Sequence, residues 1–219
     1  MPTIVSTSSG RITGTNLLTF AHTVPSGTNR RLIVFCNVSS AIASLSASFD
    51  GTFLTKTNDI DSTPTATGPG RLVVFELANP SAVSSTIGIT GSGGAFSLCA
   101  CAVTLTDCTS VSLLTTAQGS STTPSVTVSS SVGGLVLDVL GYPLNNVALT
   151  VGAGQTSIVE QESIADASRK LAVSSKPGAT SVTMSWTMAS SGIWILGALT
   201  AYSPIPPTST ETTQFLIVM

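Results

Sequence analysis

The chain has 219 residues, of which 42% are hydrophobic and only 8% charged, with a net charge of −2. An average soluble domain carries roughly 25% charged residues, so 67 Ser and Thr must keep this surface wet. The eight scattered Lys and Arg exclude a basic face for nucleic acid, and the longest apolar run near the end, Gly192–Ala201, is about half of what a bilayer span needs.

In chain order, the alternation and turn signals predict short strands at Thr3–Ser6, Asn16–Thr23, Arg31–Val38, Ile42–Phe49, Phe53–Lys56, Arg71–Ala78, Ser84–Thr90 and Ala95–Thr106. Further strands follow at Val111–Thr116, Ser125–Ser129, Gly134–Tyr142, Val147–Val151, Ser157–Gln161, Ser168–Ser174, Thr180–Thr187 and Ile193–Tyr202. The period of two is clearest where Leu45, Ala47 and Phe49 oppose Ser44, Ser46 and Ser48, and where Val182, Met184 and Trp186 oppose Ser181, Thr183 and Ser185. Such strands have one face in a core and one in water. Leu32–Cys36 and Gly134–Leu140 are apolar on both faces, as strands covered on each side are. Asp50-Gly51 suits a type I′ hairpin turn. Asn58–Gly70, with Asp59 and Asp61, reads as the longest exposed loop.

No reaction centre is spelled out. His22 shares a strand face with Leu18 and Phe20, no serine sits in a Gly-x-Ser-x-Gly elbow, and the histidine reads as structural. Asp138, between Leu137 and Val139, is either a hydrogen-bonded residue or an acid whose pKa is raised. Glycoside hydrolysis needs two facing carboxylates. Glu76, Asp138, Glu160 and Glu162 are candidates, but spacing places no pair. Asp59-x-Asp61 lacks the rest of a calcium loop. Cys36, Cys99, Cys101 and Cys108 read as buried free thiols in a protein made in a reducing compartment, and no metal or cofactor motif is present. Met1–Gly10 has neither the basic start nor the apolar stretch of a signal peptide.

After Ser203 the chain changes character. Pro204-Ile205-Pro206-Pro207 reads as a stiff linker, Thr208–Gln214 is polar, and Phe215, Leu216, Ile217, Val218 and Met219 are all apolar. Five exposed apolar residues invite aggregation, so this arm is expected to dock on a partner or back on its own sheet. The expected organisation is one domain over residues 1–203, an all-β, two-sheet antiparallel sandwich of jelly-roll type, followed by a linker and arm over residues 204–219.

Ser46–Lys56 (SASFDGTFLTK), Leu72–Asn79 (LVVFELAN), Ala102–Cys108 (AVTLTDC) and Lys176–Trp186 (KPGATSVTMSW) together resemble jelly-roll-like β-sandwich domains of phage virion proteins and some bacterial surface proteins. The resemblance spans about Asn16–Tyr202 and implies no catalytic residue. It implies a structural virion protein made in the host cytoplasm. A capsid decoration or cement subunit is expected, partnered with the major capsid protein or with copies of itself, with a trimer as the expected homo-oligomer. The alternative is a carbohydrate- or receptor-binding module of a tail, fibre or surface protein, with Trp194, Tyr142 or Tyr202 exposed beside a groove.

Overall fold

The structure, a computed structural model, describes residues 1–39, 44–61, 70–93, 96–143, 148–162 and 169–204. The described residues form strands and turns only. The first half contains β1 (Thr3–Thr15), β2 (Leu17–Thr23), β3 (Arg31–Val38), β4 (Ser44–Phe49), β5 (Thr52–Phe53), β6 (Thr55–Asp61), β7 (Arg71–Ala78), β8 (Ser84–Ser92) and β9 (Phe96–Thr106). The second contains β10 (Ser110–Val111), β11 (Thr115–Ser121), β12 (Ser125–Ser129), β13 (Leu135–Tyr142), β14 (Leu149–Val151), β15 (Thr156–Glu162), β16 (Lys170–Pro177), β17 (Ser181–Met188) and β18 (Gly192–Tyr202).

These strands make four antiparallel sheets, where the alternation alone suggested two. The orders are β1-β9-β3-β7-β6 and β2-β8-β4-β5 in the first half, and β15-β16-β13-β18, with β10 and β11 along the outer side of β18, and β12-β17-β14 in the second. The reason lies in the doubly apolar strands. On β3, Leu32, Val34 and Cys36 face one core while Ile33 and Phe35 face another. On β13, Leu135, Leu137 and Val139 face that same second core, while Val136 and Leu140 face a third. The two large sheets therefore pack on each other in the middle, and each is covered outside by a small sheet. The outer strands obey the single alternation: Val182, Met184, Trp186 and Met188 of β17 are buried, and Ser181, Thr183 and Thr187 are exposed.

The two halves repeat one topology. β1, β2, β3, β4, β6, β7, β8 and β9 occupy the places that β11 to β18 occupy in the second half. The register repeats as well: Val34 lies opposite Ala102 and Phe75, and Asp138 lies opposite Ala198 and Ser174. Each pair falls at the same position within strands of equal length, eight residues for β3, β7, β13 and β16, and eleven for β9 and β18. Across the central layer β1 packs on β15. On the other side Asn58 of β6 accepts the Leu114 N–H at 3.3 Å, and Gln118 of β11 donates to the Asp61 carbonyl. The chain thus carries two copies of one strand order, packed on each other through their large sheets, within the single span expected over residues 1–203.

Four local expectations change. Val111–Thr116 divides into β10 and β11. β1 runs for 13 residues, because Ile4–Ile12 pairs along β9 despite its polar side chains. Phe53–Lys56 divides into β5 and β6. Asn58–Asp61 is not loop but strand, with Asp59, Ile60 and Asp61 paired to Val73, Leu72 and Arg71; residues 62–69 lie outside the described residues. The hairpin turn holds as expected, with φ of 49° at Asp50 and 73° at Gly51.

Gly70 marks a tight approach where the halves meet. Its φ is 106°, and a Cβ there would lie 2.8 Å from the Val38 carbonyl oxygen and 2.4 Å from Asn37 Oδ1. Backbone cannot yield as a flexible side chain does, so Gly70→Ala is expected to lower unfolding stability by about 1–3 kcal/mol. A urea midpoint equal to that of the wild type would contradict this account of the contact.

Candidate functional site

Two polar constellations stand out among the described residues. The first surrounds His22, which β2 turns inward. His22 is buried beneath a cleft of about 410 Å³ lined by β1, β2 and β8, among them Ser6, Ser8, Thr23, Ser84 and Ser85. Nδ1 lies 2.7 Å from Ser8 Oγ and Nε2 lies 2.7 Å from Thr104 Oγ1, while Phe49 meets the ring edge-on at 6.0 Å between centroids. Burial lowers the His22 pKa to about 4, so the ring is neutral at pH 7. Hydroxyls satisfy both ring nitrogens, one as donor and one as acceptor. The group ties β1, β2 and β9 together, in keeping with a structural histidine.

The second constellation is the Asp138 carboxylate, inside the outer core of the second half between Val136 and Leu140. Oδ1 accepts the Ser174 N–H at 2.8 Å and the Ser174 hydroxyl at 2.7 Å. Oδ2 accepts Trp186 Nε1–H at 2.9 Å, with Gln155 Nε2 at 3.5 Å. Gln155 also donates to Ser174 Oγ at 2.8 Å and accepts the Ser185 N–H at 2.7 Å. Burial pushes the Asp138 pKa up to about 7, against the hydrogen bonds from Ser174 and Trp186 that favour the charged form. Of the two sequence readings, hydrogen-bonded acid and raised acid, both apply. The carboxyl is sealed from solvent and does not line the cleft above His22. In the first half Val34 and Phe75 fill the equivalent positions.

Two of the other candidate acids, Glu76 and Asp59, are ion-paired. Glu76 forms an ion pair with Arg31. Asp59 pairs with Arg71 and, at 2.6 Å, with Lys56; burial would raise its carboxyl, but the hydrogen bonds from these cations hold it below the usual range. Asp59 is therefore not offered to calcium, and no three His, Cys, Asp or Glu among the described residues are grouped as a metal site. Asp138 and Glu76 sit on different sheets and do not form a facing pair. The four cysteines are buried and free, and burial pushes the Cys36, Cys101 and Cys108 thiols up. No helix of the described residues is long and apolar enough to cross a membrane.

Of the aromatic side chains expected beside a recognition groove, Trp194 and Tyr142 are turned inward; Phe53, on β5, is exposed. Trp186 and Tyr142 are buried, and so is Trp194, whose Nε1–H donates to Ser121 Oγ at 3.1 Å; Tyr202 is half-buried. Comparison with protein-family models, with curated proteins and with solved structures finds no match. Function must therefore be argued from architecture and surface.

One surface feature lies beside the point where the arm leaves. A groove of about 420 Å³ is lined by Thr109, Ser110, Val132, Gly133, Tyr202 and Pro204. Val132, in the turn between β12 and β13, is 86% exposed, the highest value among the large apolar residues described. The expected arm residues Phe215, Leu216, Ile217, Val218 and Met219 lie outside the described residues. Sequence reasoning missed Ser8, Thr104, Gln155 and Ser174. The available signal was a hydroxyl inside an otherwise apolar run, as at Thr104 within Phe96–Leu105 and Ser174 after Leu171–Val173.

Proposed function

We propose that this chain is a structural virion protein of a bacteriophage, most simply a capsid decoration or cement subunit, built from two jelly-roll units in tandem. The carrying observation is the pairing pattern within each half. Counting eight main strands per half, the first pairs with the last, the second with the seventh and the third with the sixth: β1 with β9, β2 with β8 and β3 with β7, then β11 with β18, β12 with β17 and β13 with β16. A long hairpin rolled into two sheets gives this order. The resemblance of the sequence to phage jelly-roll domains supports the same reading.

Three further features agree with it. Outer faces bear hydroxyls and few charges, which suits surfaces that are covered in a lattice rather than kept apart by repulsion. The polar constellations serve the fold, and the reading assigns the chain no reaction and no cofactor. The apolar arm over Phe215–Met219 supplies a means of holding a neighbouring subunit.

The test is removal of Thr208–Met219. The truncated chain is expected to keep the circular dichroism spectrum of the intact one and to lose its oligomeric state or its attachment to capsids, followed by light scattering and co-sedimentation. A truncated chain that assembles like the intact one would overturn the proposal.

A further inference from the structure

We propose that Ser8 is a reactive serine: with His22 as its base, its hydroxyl attacks small uncharged esters that enter the cleft between β1 and β2. This chemistry goes beyond the assembly role proposed above and does not depend on it.

The bonds that tie β1, β2 and β9 together also have the geometry of an activated nucleophile. Ser8 Oγ lies 2.7 Å from His22 Nδ1, within reach for proton transfer. On the far side of the ring, Nε2 lies 2.7 Å from Thr104 Oγ1, which is fully buried. The tautomer with its proton on Nε2 donates to that oxygen and leaves Nδ1 to accept from Ser8. A hydroxyl, a base and a group that fixes the base thus run from the cleft into the core. Ser8 and His22 both line the cleft, and His22 is the only histidine in the sequence.

The edge of β2 supplies donors for the negative charge that such an attack develops. β2 ends its sheet, with β8 on one side only. The Val24 N–H bonds to the Val83 carbonyl, so every second residue back from Val24, His22 among them, turns its backbone groups to β8. Ala21 and Thr23 turn theirs the other way. The Thr23 carbonyl accepts the Ser6 hydroxyl of β1 at 2.6 Å, which fixes that direction. The N–H groups of Ala21 and Thr23 therefore point toward the strand that carries Ser8, and no strand among the described residues pairs with them. Unpaired backbone N–H groups beside a nucleophile are what an oxyanion requires.

The lining sets the class of ligand. Apart from Ala21 and His22, every residue around the cleft carries a hydroxyl, and none carries a charge at pH 7, since burial keeps His22 neutral there. A charged acid or amine would lose solvation and meet no counter-charge, whereas an uncharged ester meets donors and acceptors. The same burial makes His22 a weak base, so acylation is slow and the covalent adduct is the readout. The step balances. The Ser8 proton passes to Nδ1 as the Oγ–C bond forms, and the alcohol leaves with that proton as the oxyanion collapses. Water then releases the acid from the acyl-serine through the same base.

The test exposes the intact chain to an uncharged dialkyl fluorophosphate. Ser8 Oγ displaces fluoride at phosphorus, and the proton passes through His22 to water. Peptide mass spectrometry locates the adduct. The expected result is an adduct on Ser8 alone, absent in Ser8→Ala and formed about 100-fold more slowly in His22→Gln. Its rate is expected to rise as pH passes upward through about 4, where His22 loses its proton, and to level off at neutral pH. An unassisted serine keeps climbing with hydroxide. The site of the wild-type adduct and its pH profile need no variant to fold. No adduct, an adduct spread over the exposed serines, or labelling of Ser8 as fast in His22→Gln as in the wild type overturns the proposal. A rate that climbs with hydroxide through neutral pH overturns it as well.

Discussion

Trp186→Ala is expected to lower the unfolding free energy by about 3–5 kcal/mol through the lost ring and the cavity it leaves, the largest single-residue effect foreseen in this chain. Trp186 is among the largest fully buried side chains and packs with Val182, Met184 and Met188 of its own strand against β13 and β18. Its Nε1–H is also one of the donors that hold Asp138 Oδ2. Losing it leaves a buried oxygen short of a partner, which adds about 1–3 kcal/mol. Trp186→Phe isolates that second part, since it keeps most of the ring volume. The expected order in urea midpoints, followed by circular dichroism, is wild type, then Trp186→Phe, then Trp186→Ala. Equal midpoints for Trp186→Phe and wild type would show that the indole hydrogen bond contributes nothing.

The pH profile carries the second large effect, and it is hidden in the wild type. Asp138 titrates near 7 in the folded chain, above its ordinary value. The folded state therefore keeps a proton that the unfolded state gives up. The stability it contributes is complete below about pH 4 and is lost as pH rises through 7, roughly 4 kcal/mol over that window. His22 has the opposite sign. Its folded pKa of about 4 lies below its ordinary value, so its contribution is present above about pH 6.5 and is lost as pH falls through 4, roughly 3 kcal/mol. Between pH 4 and 6.5 the two oppose each other. Asp138→Asn removes the first and is expected to make stability climb with pH across this window relative to wild type. His22→Gln removes the second and is expected to make it fall. Parallel profiles for the two variants would contradict the opposed burial of these groups.

The all-β class was legible because burial writes itself into period two on strands such as β4 and β17. Coverage on both sides was legible too, in the unbroken apolar runs of β3 and β13. The number of sheets was not, because a doubly apolar strand reports that something lies on each face but not what. The duplication was hidden for a related reason. The units share topology and register, yet Asp138 stands where the first half has Val34, and Ser174 where it has Phe75, so side-chain identity does not show what backbone pairing shows. β1 was read short because Ser6–Gly10 lies at a sheet edge, where hydroxyls replace apolar side chains. The partners of His22 and Asp138 were out of reach in sequence: Thr104 is 82 residues from His22 and Ser174 is 36 from Asp138. Only the folding of β9 and β16 beside them makes those contacts.

Burial of Trp194 and Tyr142 removes two of the three side chains that the recognition-module alternative could use, while Tyr202, half-buried, lines the groove beside Pro204. Assembly remains the reading that uses the duplicated sandwich, the hydroxyl-coated faces and the apolar arm together.

Sedimentation equilibrium of the intact chain at micromolar concentration tests that reading most directly. The account predicts a discrete symmetric oligomer, a whole multiple of the 22.1 kDa chain mass. A single species at the mass of one chain, unchanged up to high concentration and in the presence of capsids, would contradict it.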